Sequence, residues 1–121
     1  MTRRDPAVSL AQMRDAATRA IAIVSTRDRQ DLIDDDLLDL ALVRLLEIPG
    51  EAANRVPRDD QIRLTAIPWS EIIGLRNRLI HGYDQIDLDV VWQIVTVDLP
   101  VLVLTLDGLL SGSSPSGVSG S

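Results

Sequence analysis

The residues of this sequence best suited to chemistry lie in one short stretch that runs from Arg76 and Asn77 through His81 to Tyr83. His81 is the sole histidine, and an imidazole, which titrates near neutral pH, can take the proton of an attacking 2′-hydroxyl. An arginine can hold the negative charge that develops on a phosphorane. Arg76 and His81 therefore suit phosphodiester cleavage that needs no metal ion.

Each of these residues also has a purely structural interpretation. On a helical wheel Arg76 falls inside an apolar stripe, where its charge needs a carboxylate such as that of Asp87, or a phosphate. A lone histidine near a helix end is often a capping residue. His81 lies about 140° from Arg76 on the wheel, so the two converge only if the helix ends at Gly82 or across a symmetric dimer.

The composition narrows the kinds of protein and of site that are possible. A chain of 121 residues with 45% hydrophobic and 25% charged residues is expected to fold as one globular domain. It contains no cysteine, which excludes disulfides, thiolate nucleophiles and cysteine-based metal sites. All 12 basic residues are arginines, but the net charge is -6, so any contact with nucleic acid must be local.

The elements that must position the site begin with two predicted helices. Apolar residues at three- and four-residue spacing predict a first helix over residues 5–26. A second apolar run predicts a helix over residues 37–48, which we expect Pro49 and Gly50 to end. The acidic residues 34–36 precede that run, and we interpret them as a helix entry and not as a metal site.

The second half of the chain predicts two more helices. Residues 51–67 are polar and indicate a short helix followed by a loop, after which Pro68 begins a third long helix. Asp87 is suited to cap a fourth helix over residues 88–110, which we expect to bend near Pro100. Its valines also alternate as they would in a strand, but a strand without partners is unstable.

The two ends of the chain predict where the protein is located in the cell and which residues form a flexible tail. The C-terminal apolar stretches are interrupted by Asp98, Pro100 and Asp107, so we expect none of them to reach the roughly 20 residues of a membrane span. The first ten residues lack the apolar core of a signal peptide. We therefore predict a cytoplasmic protein without membrane contact. Residues 1–110 would form its helical domain, and the Ser- and Gly-rich residues 111–121 a flexible tail.

The chain resembles the HEPN domain superfamily and, within it, the HepT-like toxins. HEPN ribonucleases carry an arginine, usually followed by a polar residue, a few residues before a histidine. Arg76, Asn77 and His81 match that pattern, and Tyr83 completes the HepT form RNRLIHGY. The resemblance extends to IPWSEIIGLRN, DLDVVWQIV and LLEIPGEAANRV, and covers nearly all of residues 5–110.

The resemblance implies an all-α, antiparallel HEPN-type bundle of about four to five helices that forms a homodimer, here through the third and fourth predicted helices. Its cleft would use Arg76, Asn77 and His81 of both chains for metal-independent endo- or exonucleolytic cleavage of RNA, tRNA being one candidate. Arg78 would contact the substrate, and no cofactor is implied. A minimal nucleotidyltransferase antitoxin would silence the toxin by attaching AMP to Tyr83.

Two alternatives stay open at this point, and two positions depart from the family pattern. The protein could be a catalytically inactive HEPN dimer that serves as a binding partner or scaffold for its nucleotidyltransferase. It could also be a plain helical bundle in which Arg76 and His81 are structural. Pro49 falls where relatives run an unbroken helix, so we expect a kink there. Asp84 adds a negative charge beside the cleft and is expected to weaken RNA binding modestly.

Overall fold

Two long helices, α1 (Pro6–Val24) and α3 (Asp36–Asn54), pack on each other, and most of the remaining elements contact one of them. The computed structural model describes residues 5–81 and 85–112. In chain order the elements are α1 (Pro6–Val24), α2 (Arg29–Asp34), α3 (Asp36–Asn54), α4 (Arg58–Arg63), α5 (Trp69–Ile73), α6 (Leu75–Leu79), β1 (Ile80–His81), β2 (Gln85–Ile86), α7 (Leu88–Gln93), a π-helical segment (Ile94–Asp98) and α8 (Leu99–Leu110). The prediction of an all-α bundle is confirmed. The predicted tail lies outside the described residues from residue 113 onward.

Aspartates begin the long helices where the sequence predicts them. The Asp5 carboxylate accepts a hydrogen bond from the backbone N–H of Ala7, 2.9 Å away, and Pro6 occupies the first turn of α1. The Asp35 carboxylate accepts from the N–H groups of Leu37 and Leu38 at 3.0 and 3.2 Å. The acidic cluster before α3 is therefore a helix entry, as its position indicated.

The same cluster perturbs a carboxylate one turn further along α3. Burial raises the pKa of Asp39, the nearby carboxylates of Asp36 and Asp35 raise it further, and a hydrogen bond from the Leu40 backbone opposes them. Because the folded-state pKa is above the ordinary value of 3.8, the ionised carboxylate reduces the stability of the fold above that raised pKa. The penalty is absent below the ordinary value, where Asp39 is protonated in both states.

The predicted end of the second helix at Pro49 is wrong, because α3 continues through Pro49 to Asn54. A proline inside a helix removes one backbone hydrogen bond and typically costs about 3 kcal/mol. Here the proline ring is itself buried, and the next turn buries Ala52 and Ala53 completely. Ending the helix at Pro49 would expose this apolar surface, so tertiary packing outweighs the local preference.

Gly50 lets the backbones of α3 and α5 approach each other closely. A Cβ atom at this position would lie 2.9 Å from the carbonyl oxygen of Ile72 and 3.5 Å from that of Ile73. Both of those carbonyls belong to the backbone of α5, which cannot move away without shifting the whole short helix. The absence of a side chain at Gly50 therefore sets the distance between α3 and α5.

The third predicted helix is shorter than expected and interrupted. Gly74 separates α5 from α6, and α6 ends at Leu79, so His81 is not on a helix. Ile80 has extended backbone angles and pairs with Ile86 in the antiparallel β1–β2 sheet, where His81 pairs with Gln85. Ile80 and Ile86 both pack against the core, which the chain could not achieve if it continued as a straight helix.

The last predicted helix is confirmed, and its irregularity precedes Pro100. The π-helical segment Ile94–Asp98 joins α7 to α8, whose second residue is Pro100. A proline ring clashes with the carbonyl four residues earlier in a regular α-helix, and a wider π turn at this place relieves the clash. Asp87 caps α7 as predicted, because its carboxylate accepts from the Val90 N–H at 3.2 Å.

The expectation that no apolar stretch reaches membrane-spanning length is wrong for this C-terminal segment. Leu88–Leu110 forms one helix of 23 residues with a mean hydropathy of 1.7, which is long and apolar enough to cross a membrane by length and composition alone. One side of it, which includes Ile94, Leu99 and Leu106, packs into the core. A core helix of a globular protein can have the same composition.

The contact at Gly50 yields a first prediction. Gly50→Ala should lower the free energy of unfolding by about 1–3 kcal/mol, because the new methyl group overlaps a backbone carbonyl that cannot turn aside. Gly108→Ala in α8 is the matched control, since a Cβ atom there meets nothing within 4 Å. That control should raise stability by about 0.5–1 kcal/mol. Urea unfolding followed by circular dichroism measures both, and equal stability gains would contradict the close approach.

Candidate functional site

Arg76 lies on the surface of α6 and faces α3. Its Nε atom is 3.5 Å from Oε2 of Glu47, and its side chain is 65% exposed. The helical wheel placed Arg76 inside an apolar stripe, which is wrong because the side chain is exposed; the carboxylate that its charge needs is present, but it is Glu47 and not the suggested Asp87. The buried side of α6 is set by Leu75 and Leu79, one turn apart, and Arg76 points away from them.

Glu47 is shared by two arginines. Its Oε1 atom lies 3.6 Å from Nη1 of Arg44, and the same Nη1 atom is 3.0 Å from Oε2 of Glu51. Two cations and two carboxylates thus form a neutral row that runs along one side of α3 to Arg76. Exposed ion pairs of this kind contribute about 0–1 kcal/mol each, so an incoming anion can displace them.

A groove lies beside this row of ion pairs. It has a volume of about 330 Å³ and lies between α3 and the short helices α5 and α6, with Gly50, Asn54 and Ile73 along its wall and Arg76 at its edge. A guanidinium has five N–H donors, and the single contact at Nε leaves most of those on the exposed Arg76 accessible to an anion. Glu47 and Glu51 also line the groove, so a phosphate group has to displace these carboxylates from the arginines in order to bind there.

Asn77 and Arg78 face away from Arg76. Asn77 borders a second groove, which α4 and α5 form with Arg58, Gln61 and other residues. Arg78 donates from Nη2 to Oδ2 of Asp98 at 3.5 Å, on the side of the π-helical segment. Successive residues of a helix point about 100° apart, so within one chain the three polar side chains do not converge on one atom.

The remaining predicted site residues are only partly within the described structure. The backbone of His81 is described, as the partner of Gln85 in the β1–β2 sheet, but its side chain is not. Tyr83 and Asp84 lie outside the described residues. A helix continuing from Arg76 would carry the residue seven positions later, Tyr83, on the same side, but α6 ends at Leu79.

Glu47 and Arg44 are the residues that sequence reasoning missed. A signal for them is present, because Arg44, Glu47 and Glu51 follow one another at three- and four-residue spacing and so share one side of a helix. The predicted stop at Pro49 hid this signal by placing Glu51 beyond the helix. Across residues 5–81 and 85–112, no group of three or more metal-ligating side chains comes together.

The comparisons with known proteins support the family resemblance of the RNRLIHGY stretch. The sequence model of a family described as "Ribonuclease HepT-like" matches residues 13–107. "Putative RNase MJ1380" of Methanocaldococcus jannaschii is 35% identical over 100 residues, which cover 83% of this chain and 92% of that protein. "Probable ribonuclease HepT" of Thermococcus cleftensis is 37% identical over 87 residues, which cover 69% of this chain and 79% of that protein. No solved structure matches the chain.

The matched range includes the groove and the whole RNRLIHGY stretch. Arg76, His81 and the row of ion pairs on α3 all fall between residues 13 and 107. The match covers well over half of the chain, and the relatives align with most of their own length. The chain therefore belongs to the HepT-like ribonuclease family of the HEPN superfamily.

Proposed function

We propose that this protein is a metal-independent ribonuclease that acts in the cytoplasm as the toxin of a toxin–antitoxin pair. The observation that carries the proposal is the exposed guanidinium of Arg76 beside a groove of about 330 Å³, five residues before the sole histidine. The net charge of -6 gives the chain no general attraction for RNA, so a local cation must hold the substrate.

The proposed reaction is attack of the RNA 2′-hydroxyl on the adjacent phosphorus. His81 takes the proton of the hydroxyl, the oxygen bonds to phosphorus, and the bond to the 5′-oxygen breaks after that oxygen receives a proton. Arg76 stabilises the negative charge on the intermediate phosphorane. The products are a 2′,3′-cyclic phosphate and a free 5′-hydroxyl, and no metal or cofactor takes part. Cleavage within a strand or from an end would both follow from this chemistry.

We propose a homodimer because a single chain directs only one of three adjacent polar side chains to the groove: Arg76 reaches it, whereas Asn77 and Arg78 do not. A two-fold axis beside α3 would bring a second Arg76 and a second His81 to the same cleft. Leu37 and Leu40 support this arrangement, because they are 79% and 57% exposed and lie on the same side of α3 as Arg44 and Glu47. A second copy that covers them would meet α3 and α6, and not the third and fourth predicted helices alone.

A catalytically inactive scaffold is the second candidate, and one observation favours it. Glu47 and Glu51 neutralise the arginines of the row in the single chain, as they would in a site that never binds RNA. Cleavage assays separate the two candidates directly.

Removal of either proposed catalytic side chain should abolish cleavage. We expect His81→Ala and Arg76→Ala to cut ribonuclease activity at least about 100-fold while the helical content stays unchanged. Arg76→Lys should fail too, because an ammonium lacks the planar fork of a guanidinium. Arg19→Ala, an exposed arginine of α1, is the control of equal charge. Wild-type cleavage should persist in excess chelator, and full activity in His81→Ala would leave the scaffold as the better account.

Glu47 should compete with RNA for Arg76. In a His81→Ala background, which binds without cleaving, Glu47→Gln should tighten binding of single-stranded RNA about 2- to 5-fold at low salt and less at high salt. Glu71→Gln, exposed on α5, changes the net charge equally and should have a smaller effect. Fluorescence anisotropy measures the affinity. An equal gain in both variants would mean that net charge, and not Glu47, is responsible.

Control by a partner enzyme should act through Tyr83. We propose that a minimal nucleotidyltransferase attaches AMP to its phenol, with pyrophosphate leaving from ATP, and that the added phosphate repels RNA from the cleft. Incubation with the partner enzyme and ATP should add AMP masses to the wild type and stop its ribonuclease activity. Tyr83→Phe should stay unmodified by mass spectrometry. Labelling of Tyr83→Phe equal to that of the wild type would refute the assignment.

A further inference from the structure

The second groove, which Asn77 borders, differs in charge from other grooves of this chain. It has a volume of about 600 Å³, within the usual range of ligand sites. Besides Trp69, its wall carries one cation and three uncharged polar side chains, which are Arg58, Gln61, Ser70 and Asn77. Among the described residues, none that line it is acidic, whereas three other grooves each include at least one carboxylate. We call it the tryptophan groove.

Arg58 supplies the positive charge of the tryptophan groove. Its side chain is exposed, and within residues 5–81 and 85–112 it forms no ion pair and no side-chain hydrogen bond. By contrast, Arg63 of the same helix pairs with Asp60 at 2.9 Å, and Arg76 pairs with Glu47. An anion that binds Arg58 therefore displaces no carboxylate of the described chain, and the guanidinium offers it five N–H donors.

Trp69 provides an aromatic wall whose orientation is fixed. Its Nε1 atom donates to the backbone carbonyl of Leu64 at 3.0 Å, and its side chain packs partly against the core. The residue is half-buried, so part of the ring remains open to the groove. A ring held in this way loses little conformational freedom when a flat ligand stacks on it. Nucleobases stack on aromatic side chains in this manner, and every base has a face that can do so.

Two amide side chains complete the groove. Nε2 of Gln61 donates to the carbonyls of Ala53 and Val56 at 3.3 and 3.0 Å, which fixes the amide and leaves its Oε1 atom as an acceptor. Asn77 is exposed, and no side-chain hydrogen bond ties it to the rest of the described chain. Its amide can both donate and accept, as the edge of a nucleobase does.

We infer that the tryptophan groove is a nucleotide subsite, in which a base of single-stranded RNA stacks on Trp69 while Arg58 holds a phosphate of the same strand. The inference rests on the proposed ribonuclease function for the identity of the strand. The guanidinium matches a phosphate, the indole ring matches the face of a base, and the Asn77 amide matches its edge. The subsite selects unpaired RNA, because a base within a duplex must first leave its stack to reach Trp69.

The tryptophan groove adjoins the groove at Arg76. Ile73 lies on the wall of both, and the successive residues Arg76 and Asn77 border one groove each. A strand whose reacting phosphate lies at Arg76 can therefore continue past Ile73 and place a neighbouring nucleotide against Trp69. Because Trp69 and Arg58 would not touch the reacting atoms, their loss should raise KM and leave kcat nearly unchanged.

Tryptophan fluorescence tests the stacking contact, because the chain has two tryptophans and Trp92 of α7 is not among the residues that line the groove. In a His81→Ala, Trp92→Phe protein, single-stranded oligoadenylate should quench the emission of Trp69. In a His81→Ala, Trp69→Phe protein, the emission of Trp92 should stay constant. Quenching of Trp92, with constant emission from Trp69, would overturn the subsite.

Affinity for RNA tests the same contact independently. In the His81→Ala background, Trp69→Leu should weaken binding of oligoadenylate about 5- to 50-fold by fluorescence anisotropy, and Trp69→Phe should restore most of it. Trp92→Leu is the matched control, since that tryptophan is also half-buried. An abasic strand of the same length should bind Trp69→Leu as it binds the wild-type groove. Equal weakening for both strands would mean that Trp69 acts through the fold, which would overturn the subsite.

The salt dependence of binding tests Arg58. Arg58→Gln should reduce the slope of log affinity against log salt concentration by about 0.7, the value for one phosphate contact with a single strand. Arg19→Gln is the matched control, because Arg19 of α1 is exposed and is not among the residues that line the groove. A slope in Arg58→Gln equal to that of the parent protein would contradict the phosphate contact.

Adenosine monophosphate distinguishes RNA from a free nucleotide as the occupant. AMP should bind at least about 100-fold more weakly than oligoadenylate, because it cannot occupy the groove at Arg76 at the same time. Equal affinities would overturn the RNA subsite and indicate a site for free nucleotides. RNA binding that Trp69→Leu weakens, with no cleavage by the wild type, would support the subsite and contradict the proposed function. Cleavage with a KM that neither Trp69→Leu nor Arg58→Gln changes would overturn the subsite alone.

Discussion

The backbone contact between α3 and α5 at Gly50 is the constraint on which the rest of the site depends. A hydrogen atom is all that fits between the two helices, with the Ile72 carbonyl 2.9 Å from where a Cβ would lie. No layer of side chains separates them, so α6, which follows directly, keeps Arg76 within 3.5 Å of Glu47. The geometry of the groove is thus set by main-chain packing, while its side chains remain exposed and replaceable.

The parts of the fold that could be predicted from sequence are those that local chemistry decides. Asp35 and Asp87 begin helices because a carboxylate satisfies nearby backbone N–H groups, an interaction within three residues. The end of α3 could not be predicted, because the burial of Pro49 and Ala52 depends on partners distant in sequence. Similarly, α6 ends at Leu79 because Ile80 pairs with Ile86, which no helical wheel represents.

The candidate site, like the fold, has a part that could be predicted from the sequence and a part that could not. Arg76, Asn77 and His81 stand out in the sequence as a motif, and the family match places them in a ribonuclease family. Their directions depend on where helices break, so the wheel assigned Arg76 to a buried stripe, whereas in the structure it lies outside the buried side of α6. Glu47 escaped notice for two reasons: the predicted stop at Pro49 hid its helical spacing with Arg44 and Glu51, and its contact with Arg76 joins residues 29 positions apart in the chain.

The π-helical turn Ile94–Asp98 sets the rotation of one half of the C-terminal helix relative to the other half. A π turn holds one residue more than an α turn, so it rotates everything before it by about 100° relative to everything after it. Asp89 reaches Arg29 on one side of the molecule while Leu104 points into solvent on another. One inserted residue therefore sets the angle between the two halves of the helix. Deletion or displacement of that residue during evolution would turn one half relative to the other without a change in any residue that makes contacts.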